Sequence, residues 1–219
     1  MMPRLIIFDW DGTLVDSTHR IARALGQALQ EQGFEVPASS CLRALIGLTL
    51  QDALGKLLPA ASERQIARID ARYRQIWALE SASPVRLVDG ARECLEALAQ
   101  RGVLLAVATG KSRHGLDRDL GGHRLDELMV TTRCAGETAP KPAPDMLFEI
   151  LTELGVSAEA ALMVGDTSYD MAMAQAAGVP RIAVRSGVHD ESLLLPFSPL
   201  EVIDSVEALT PWLDAARAQ

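Results

Sequence analysis

The chain reads as an α/β fold, a Rossmann-like parallel sheet with helices on both faces, interrupted by an all-helical block. Short apolar runs without alternation, such as Leu5-Ile6-Ile7-Phe8 and residues 103–108, are expected of strands covered on both faces, and stretches with helical periodicity separate them. Residues 16–83 carry several helical stripes and no strand pattern, which breaks the alternation after the first strand. At 219 residues there is room for one core domain and an insertion. The expected division is a core of residues 1–15 and 84–219 and a helical cap of residues 16–83, joined through Val15–Ser17 and Ser81–Val85.

The elements follow in order. After the first strand, Ser17 stands as an N-cap and Ile21, Leu25, Ala28 and Leu29 fall on one helical stripe that Gly33 stops. Leu42, Leu45 and Ile46 form a second stripe, Ala53, Leu54, Leu57 and Leu58 a third, and Ile66, Ile69, Tyr73, Ile76 and Trp77 a fourth. Beyond Pro84 the spacing predicts a helix over 91–100, a strand over 103–108 and a strand over 129–132. A helix over 144–154, opened by Pro144, and a strand over 161–164 come next. A helix over 168–177, a fifth strand over 181–184 and a closing helix over 206–218 complete the chain.

Composition narrows the function. Twenty-one Lys and Arg against 29 Asp and Glu give a net charge of −8, which argues against nucleic acid or an anionic membrane as partner. A small phosphorylated substrate stays open, because local charge can oppose the net charge. Cys41, Cys94 and Cys134 are scattered and form no CxxC pair, as in a reducing compartment. The start is too short for a signal-peptide core and no later stretch is long enough to span a bilayer. A cytoplasmic monomer or small homo-oligomer is expected.

Polar residues gather at the ends of the predicted strands, where ligands bind in parallel α/β sheets. Asp9 and Asp11 leave the first strand two residues apart, and close carboxylates resist burial unless a cation or proton joins them. Gly12 permits a sharp turn or a close approach to ligand and, with Thr13, is expected to border the substrate. Asp166 follows the fourth strand, and with the first two acids makes a hard-oxygen cluster suited to Mg²⁺. Thr109, after the second strand, and Lys141, between two prolines, offer a hydroxyl and a cation to phosphate oxygens. Taken singly, Asp166 reads equally as a helix N-cap and Asp170 as a first-turn acid.

The order DxDGT, Thr109, Lys141 and then Gly165-Asp166-Thr167-Ser168-Tyr169-Asp170 resembles the haloacid dehalogenase superfamily of phosphohydrolases over the whole chain. The helical block resembles the cap of its phosphoglycolate phosphatase-like branch. The resemblance implies that Asp9 is the nucleophile, forming an aspartyl phosphate, and that Asp11 is the general acid/base. It implies Mg²⁺ on the Asp9 carboxylate, the Asp11 backbone carbonyl and Asp166, with Asp170 ordering metal-bound water or Lys141 from behind. Thr109 and the Gly110 amide would hold the transferring phosphoryl group, Lys141 would neutralise it, and the strand order would be 3-2-1-4-5. Asp11 separates a phosphatase from the dehalogenases, which lack that second aspartate. Trp10 departs from the commoner aliphatic residue, and its side chain should point away from the site.

A sugar phosphomutase shares this core and cap; the turn Gly47-Leu48-Thr49, with no Arg or Lys beside its glycine, favours hydrolysis. A phosphoaccepting signalling module would be shorter and uncapped. Gly110-Lys111-Ser112 is no P-loop, because Leu105 stands where the first glycine belongs, and Lys111 reads as a surface lysine. The four histidines lack metal-ligand spacing and read as surface or satisfied polar residues. His19, Arg20, Arg43 and Lys56 are the cap positions considered for substrate contacts, beside the Gly47 turn.

Overall fold

The computed structural model describes residues 2–80 and 85–217, so Ser81 to Pro84, within the expected second linker, lie outside the described residues. Strands β1 (Leu5–Phe8), β2 (Leu104–Ser112), β3 (Met129–Ala135), β4 (Ala161–Gly165), β5 (Arg181–Val184) and β6 (Glu201–Ile203) form one parallel sheet in the order β3-β2-β1-β4-β5-β6. All four residues of β1 are fully buried, which is why this strand reads as an unbroken apolar run. Ile6 and Phe8 join one core layer with Val107, Val164 and Leu95; Leu5 and Ile7 join the opposite layer with Ala106, Ile150 and Met173. Trp10 continues the Phe8 layer, fully buried and away from Asp9.

Helices α1 (Thr18–Glu31), α2 (Ser39–Arg43), α3 (Leu50–Leu57) and α4 (Glu63–Glu80) follow β1 without a strand between them. They share a hydrophobic cluster of their own, with Leu25, Leu29, Leu42, Leu54, Ile69 and Ile76 at its centre. Trp77 packs against both this cluster and the sheet's core. Helices α5 (Ala91–Gln100), α6 (Arg113–His123), α7 (Asp145–Leu154) and α8 (Ser168–Ala176) alternate with the remaining strands, followed by α9 (Glu191–Leu194) and α10 (Leu209–Arg217).

The structure departs from the sequence reading in several elements. The sheet has a sixth strand, β6, only three residues long and at the edge, too short to show a pattern. Helix α6 is an addition; its run of glycines and charges hides the helical spacing of its buried Leu116 and Leu120. Strand β2 runs on through Thr109 to Ser112, and β3 extends to Ala135. Pro144 is the N-cap of α7 rather than its first residue, and the closing helix begins as a 3-10 turn, Val206–Ala208. Ser17 precedes α1 as expected, but its hydroxyl makes no capping bond, being donated to Asp11 instead.

Candidate active site

β1 lies between β2 and β4, with Phe8 level with Val107 and with Val164. The Asp9 amide continues that pairing by donating to the Val164 carbonyl at 2.9 Å. The carboxyl ends of β1 and β4 therefore deliver Asp9 and Asp166 side by side, where the strand order reverses. Carboxylate oxygens of Asp9, Asp166 and Asp170 all lie within 4.8 Å of one another, and all three residues are buried.

Lys141 bridges two of these acids. Its ammonium stands 2.7 Å from Asp9 Oδ1 and donates to Asp170 Oδ1 at 2.6 Å. The other Asp170 oxygen accepts from the Thr167 amide at 3.0 Å and the Thr167 hydroxyl at 2.7 Å. Thr167, not Asp166, is the N-cap of α8, and Asp170 completes its capping box. Asp166 accepts from the Thr13 hydroxyl at 2.8 Å and the Val188 amide at 2.9 Å. Apart from the Lys141 ion pair, neither Asp9 oxygen receives a hydrogen bond among the described residues.

Burial, then Asp170, push Asp9 well above the usual carboxylate range, with Lys141 pulling down and Asp166 pushing up. Burial, followed by Asp170, raises Asp166 to about 7, against its hydrogen bonds from Thr13 and Val188. Burial alone would lower Lys141, but Asp170 and Asp9 outweigh it and hold the amine above its ordinary value. An acid triad with one cation is thus short of positive charge. The under-bonded Asp9 carboxylate and the hard-oxygen donor set both fit a divalent ion such as Mg²⁺.

Asp11 takes a different course. The chain turns at Gly12, whose φ is +97°, and a Cβ there would collide with the Asp166 carboxylate. Asp11 Oδ1 accepts from the Ser17 hydroxyl at 2.7 Å and from the Lys111 ammonium at 3.0 Å. Lys111 also lies 3.3 Å from the fully buried Asp119 and 5.0 Å from the Trp77 ring centroid. It is no surface lysine: its side chain is 8% exposed, and Asp11 and Asp119 outweigh its burial to raise its pKa. Asp119 was invisible to motif reading; the only signal is an acid set between Leu116 and Leu120, the buried positions of α6.

Thr109 is buried and its hydroxyl accepts from the Lys111 amide at 3.2 Å. Gly12 and Thr13, expected to border the substrate, have protein partners of their own. The Thr13 hydroxyl is spent on Asp166 and its amide on Trp10, while the Gly12 amide donates to Val15; neither residue lines the cavity below. The Thr13 bond and the close approach of Gly12 seat Asp166 against the β1 turn.

A cavity of about 610 Å³ lies between the strand ends and helices α1–α4. Asp9, Asp11, Thr109, Gly110 and Lys111 line its floor, and Ile21, Leu25, Leu42, Leu45, Tyr73 and Trp77 are among the residues above it. The turn Gly47-Leu48-Thr49 lines it too, whereas His19, Arg20, Arg43 and Lys56 do not. Burial, then the Asp11 carboxylate, raise the Tyr73 phenol above its ordinary value and keep it neutral. The helical block is seated on the core. A Cβ on Gly110 would stand 2.6 Å from the Leu48 carbonyl and 2.7 Å from that of Gly47. The buried His189 is satisfied, accepting from the Ser168 amide at Nδ1 (2.9 Å) and meeting the Ala44 carbonyl at Nε2 (3.0 Å).

Comparison with known proteins agrees with this geometry. Residues 6–184 match the model of the haloacid dehalogenase-like hydrolases. The Dickeya dadantii protein named Probable phosphatase IndB is 33% identical, over 93% of this chain and 90% of its own. A Rhodospirillum rubrum phosphoglycolate phosphatase is 33% identical, over 97% of this chain and 91% of its own. A hydrolase structure from Pseudomonas syringae superposes with a TM-score of 0.87 at 24% identity, covering 97% of this chain and 98% of its own.

Proposed function

Since the chain belongs to the haloacid dehalogenase-like hydrolases and is an enzyme of their phosphatase group, we propose that it hydrolyses a small phosphate monoester with Mg²⁺ through an aspartyl phosphate on Asp9. The observation that carries this reading is the Asp9 carboxylate. It is buried at the floor of a cavity, paired with Lys141, otherwise without hydrogen bonds, and grouped with two further acids. Residues 1–15 and 84–219 act as the catalytic core and residues 16–83 as its cap. A cytoplasmic setting goes with the free thiols of Cys41, Cys94 and Cys134, and with the lack of any membrane-spanning helix among the described residues.

In this reading Asp9 attacks phosphorus in line with the ester bond, forming the Asp9–phosphorus bond as the bond to the leaving oxygen breaks. Asp11, held by Ser17 and Lys111 at the cavity floor, enters the cycle protonated, gives that proton to the leaving oxygen, and as the resulting carboxylate takes one back from the attacking water. Phosphate leaves, and the Asp9 carboxylate is restored. Lys141 neutralises phosphoryl oxygens while Asp170 fixes its position, and Thr109 with the Gly110 amide orients the group. Asp9 and Asp166, with the Asp11 backbone carbonyl, would hold the Mg²⁺, which when bound supplies positive charge to the phosphoryl oxygens.

Phosphate release from a panel of esters, with and without Mg²⁺, tests the proposal. 2-Phosphoglycolate enters it first because relatives carry its name. Mg²⁺-dependent release lost in Asp9→Asn is the expected result. A metal-bound, folded protein that releases no phosphate but interconverts sugar phosphates would establish a mutase instead.

A further inference from the structure

We infer that the favoured substrate is the phosphate ester of a bulky, uncharged alcohol carrying an apolar or aromatic ring, rather than a compact phospho-acid such as phosphoglycolate. The inference rests on the phosphatase reading and narrows its substrate class. The cavity's volume of about 610 Å³ lies within the ~300–1,000 Å³ of sites that hold drug-sized ligands, whereas phosphoglycolate has only roughly nine non-hydrogen atoms. That space persists with the helical block seated, since Ala44 meets His189 and the Gly47-Leu48 carbonyls cross Gly110.

Much of the wall above Asp9 presents carbon, beside the polar Thr49, Gln51, Asp52 and Arg74. Ile21 and Leu25 come from α1, Leu42 and Leu45 from α2 and the turn after it, and Tyr73 and Trp77 from α4. The two aromatic rings of this surface lie 6.1 Å apart between centroids at 18° between planes, with the neutral Tyr73 phenol on one side and the Arg20 guanidinium and Lys111 ammonium 4.7 and 5.0 Å from the Trp77 ring centroid. A compact, strongly hydrated leaving group would leave this surface wet, whereas a ring would remove it from water.

The charges point the same way. Arg74, Lys111 and Arg118 line the cavity, and each already holds a protein carboxylate. Lys111 is with Asp11 and Asp119, Arg118 with Asp119 at 3.0 Å, and Arg74 with Asp70 at 2.8 Å. Asp9, Asp11 and Asp52 line it as well. A second anion on the substrate would meet three acids, and the cations within reach are already partly neutralised by the protein's own carboxylates.

The experiment compares kcat/KM of the Mg²⁺-loaded wild-type protein for 2-phenylethyl phosphate, uridine 5′-monophosphate and 2-phosphoglycolate. All three are alkyl esters, so leaving-group acidity does not favour the rings. Calorimetric binding of the same esters to Asp9→Asn runs alongside. At least one ring ester is expected to exceed 2-phosphoglycolate by ~10-fold or more in both measurements, and Leu45→Asp should shrink that ratio by about 10-fold. Equal or better use of 2-phosphoglycolate overturns the inference and leaves the phosphatase reading standing. Tight ring-ester binding with no turnover in the wild type overturns the phosphatase reading, and the inference with it as a statement about substrate, leaving a ring-ester binding site. Absence of binding and turnover with every ester overturns both.

Discussion

Asp9 at the floor of the cavity, and Lys141, Asp166 and Asp170 packed against or beside it, are each at most 2% exposed, and every one is tied to another charge or a hydroxyl. At the cavity's roof Ile21, Leu25 and Leu42 bring packing surface, and Trp77 adds a ring that the Arg20 guanidinium and the Lys111 ammonium also approach. Buried charges persist only when they hold one another, so removing any member strands its partner. Apolar walls ask only for carbon of suitable volume, and many residue combinations supply it. The floor is therefore intolerant of change and written in recognisable motifs, while the roof is free to set which molecule enters.

The sharpest break of this contrast is Lys141→Ala. It leaves Asp9 and Asp170 buried without their shared cation, a loss of about 3–5 kcal/mol for breaking such a group. Urea denaturation of the metal-free protein reads that loss, and phosphate release should fall by ~10³-fold. Unchanged stability would mean that pairing does not hold the floor together. Lys111→Met tests the other acid: Asp11 and Asp119 lose their common partner, so kcat should drop by about 10–100-fold with KM little altered. Lys111→Arg, which keeps the charge, should recover part of it.

Between floor and roof, Gly110→Ala places a Cβ against the Leu48 and Gly47 carbonyls and should unseat the helical block. A fall of roughly 10-fold in kcat/KM with little change in thermal stability is expected from kinetics and a melting curve. The smallest effect concerns pH. The folded pKa of Asp166, about 7, lies above the ordinary 3.8, so the folded state carries the extra proton. Stability of the metal-free protein is fullest below pH ~4 on this account and is lost as pH rises toward ~7. Mg²⁺ should therefore raise Tm by a few degrees more at pH 7.5 than at pH 5, measured by scanning fluorimetry.

Most of the floor was legible because strand ends and acids leave local marks. Leu5–Phe8 announces a buried strand, and the acids directly behind it have no bland explanation. Asp11 shows the limit of such reading. Its spacing from Asp9 suggests two carboxylates pointing together, yet the turn at Gly12 gives it separate partners, Ser17 and Lys111, while it lines the same cavity as Asp9. Lys111 looked solvated because its partners, Asp11 and Asp119, are 100 and eight residues away, and only α6 packing under β2 brings Asp119 within reach.

By itself the sequence determined the alternation of strands and helices, the helical insertion after β1, and the acids, hydroxyl and lysine at the strand ends. Those properties are set by neighbours along the chain, through periodicity, turn chemistry and the cost of burying charge. The tertiary structure alone decided that Thr13 serves Asp166, that Lys111 serves Asp11, and that an apolar, aromatic roof closes over Asp9. Each of these depends on contacts between residues distant in sequence, whose partners no local pattern specifies.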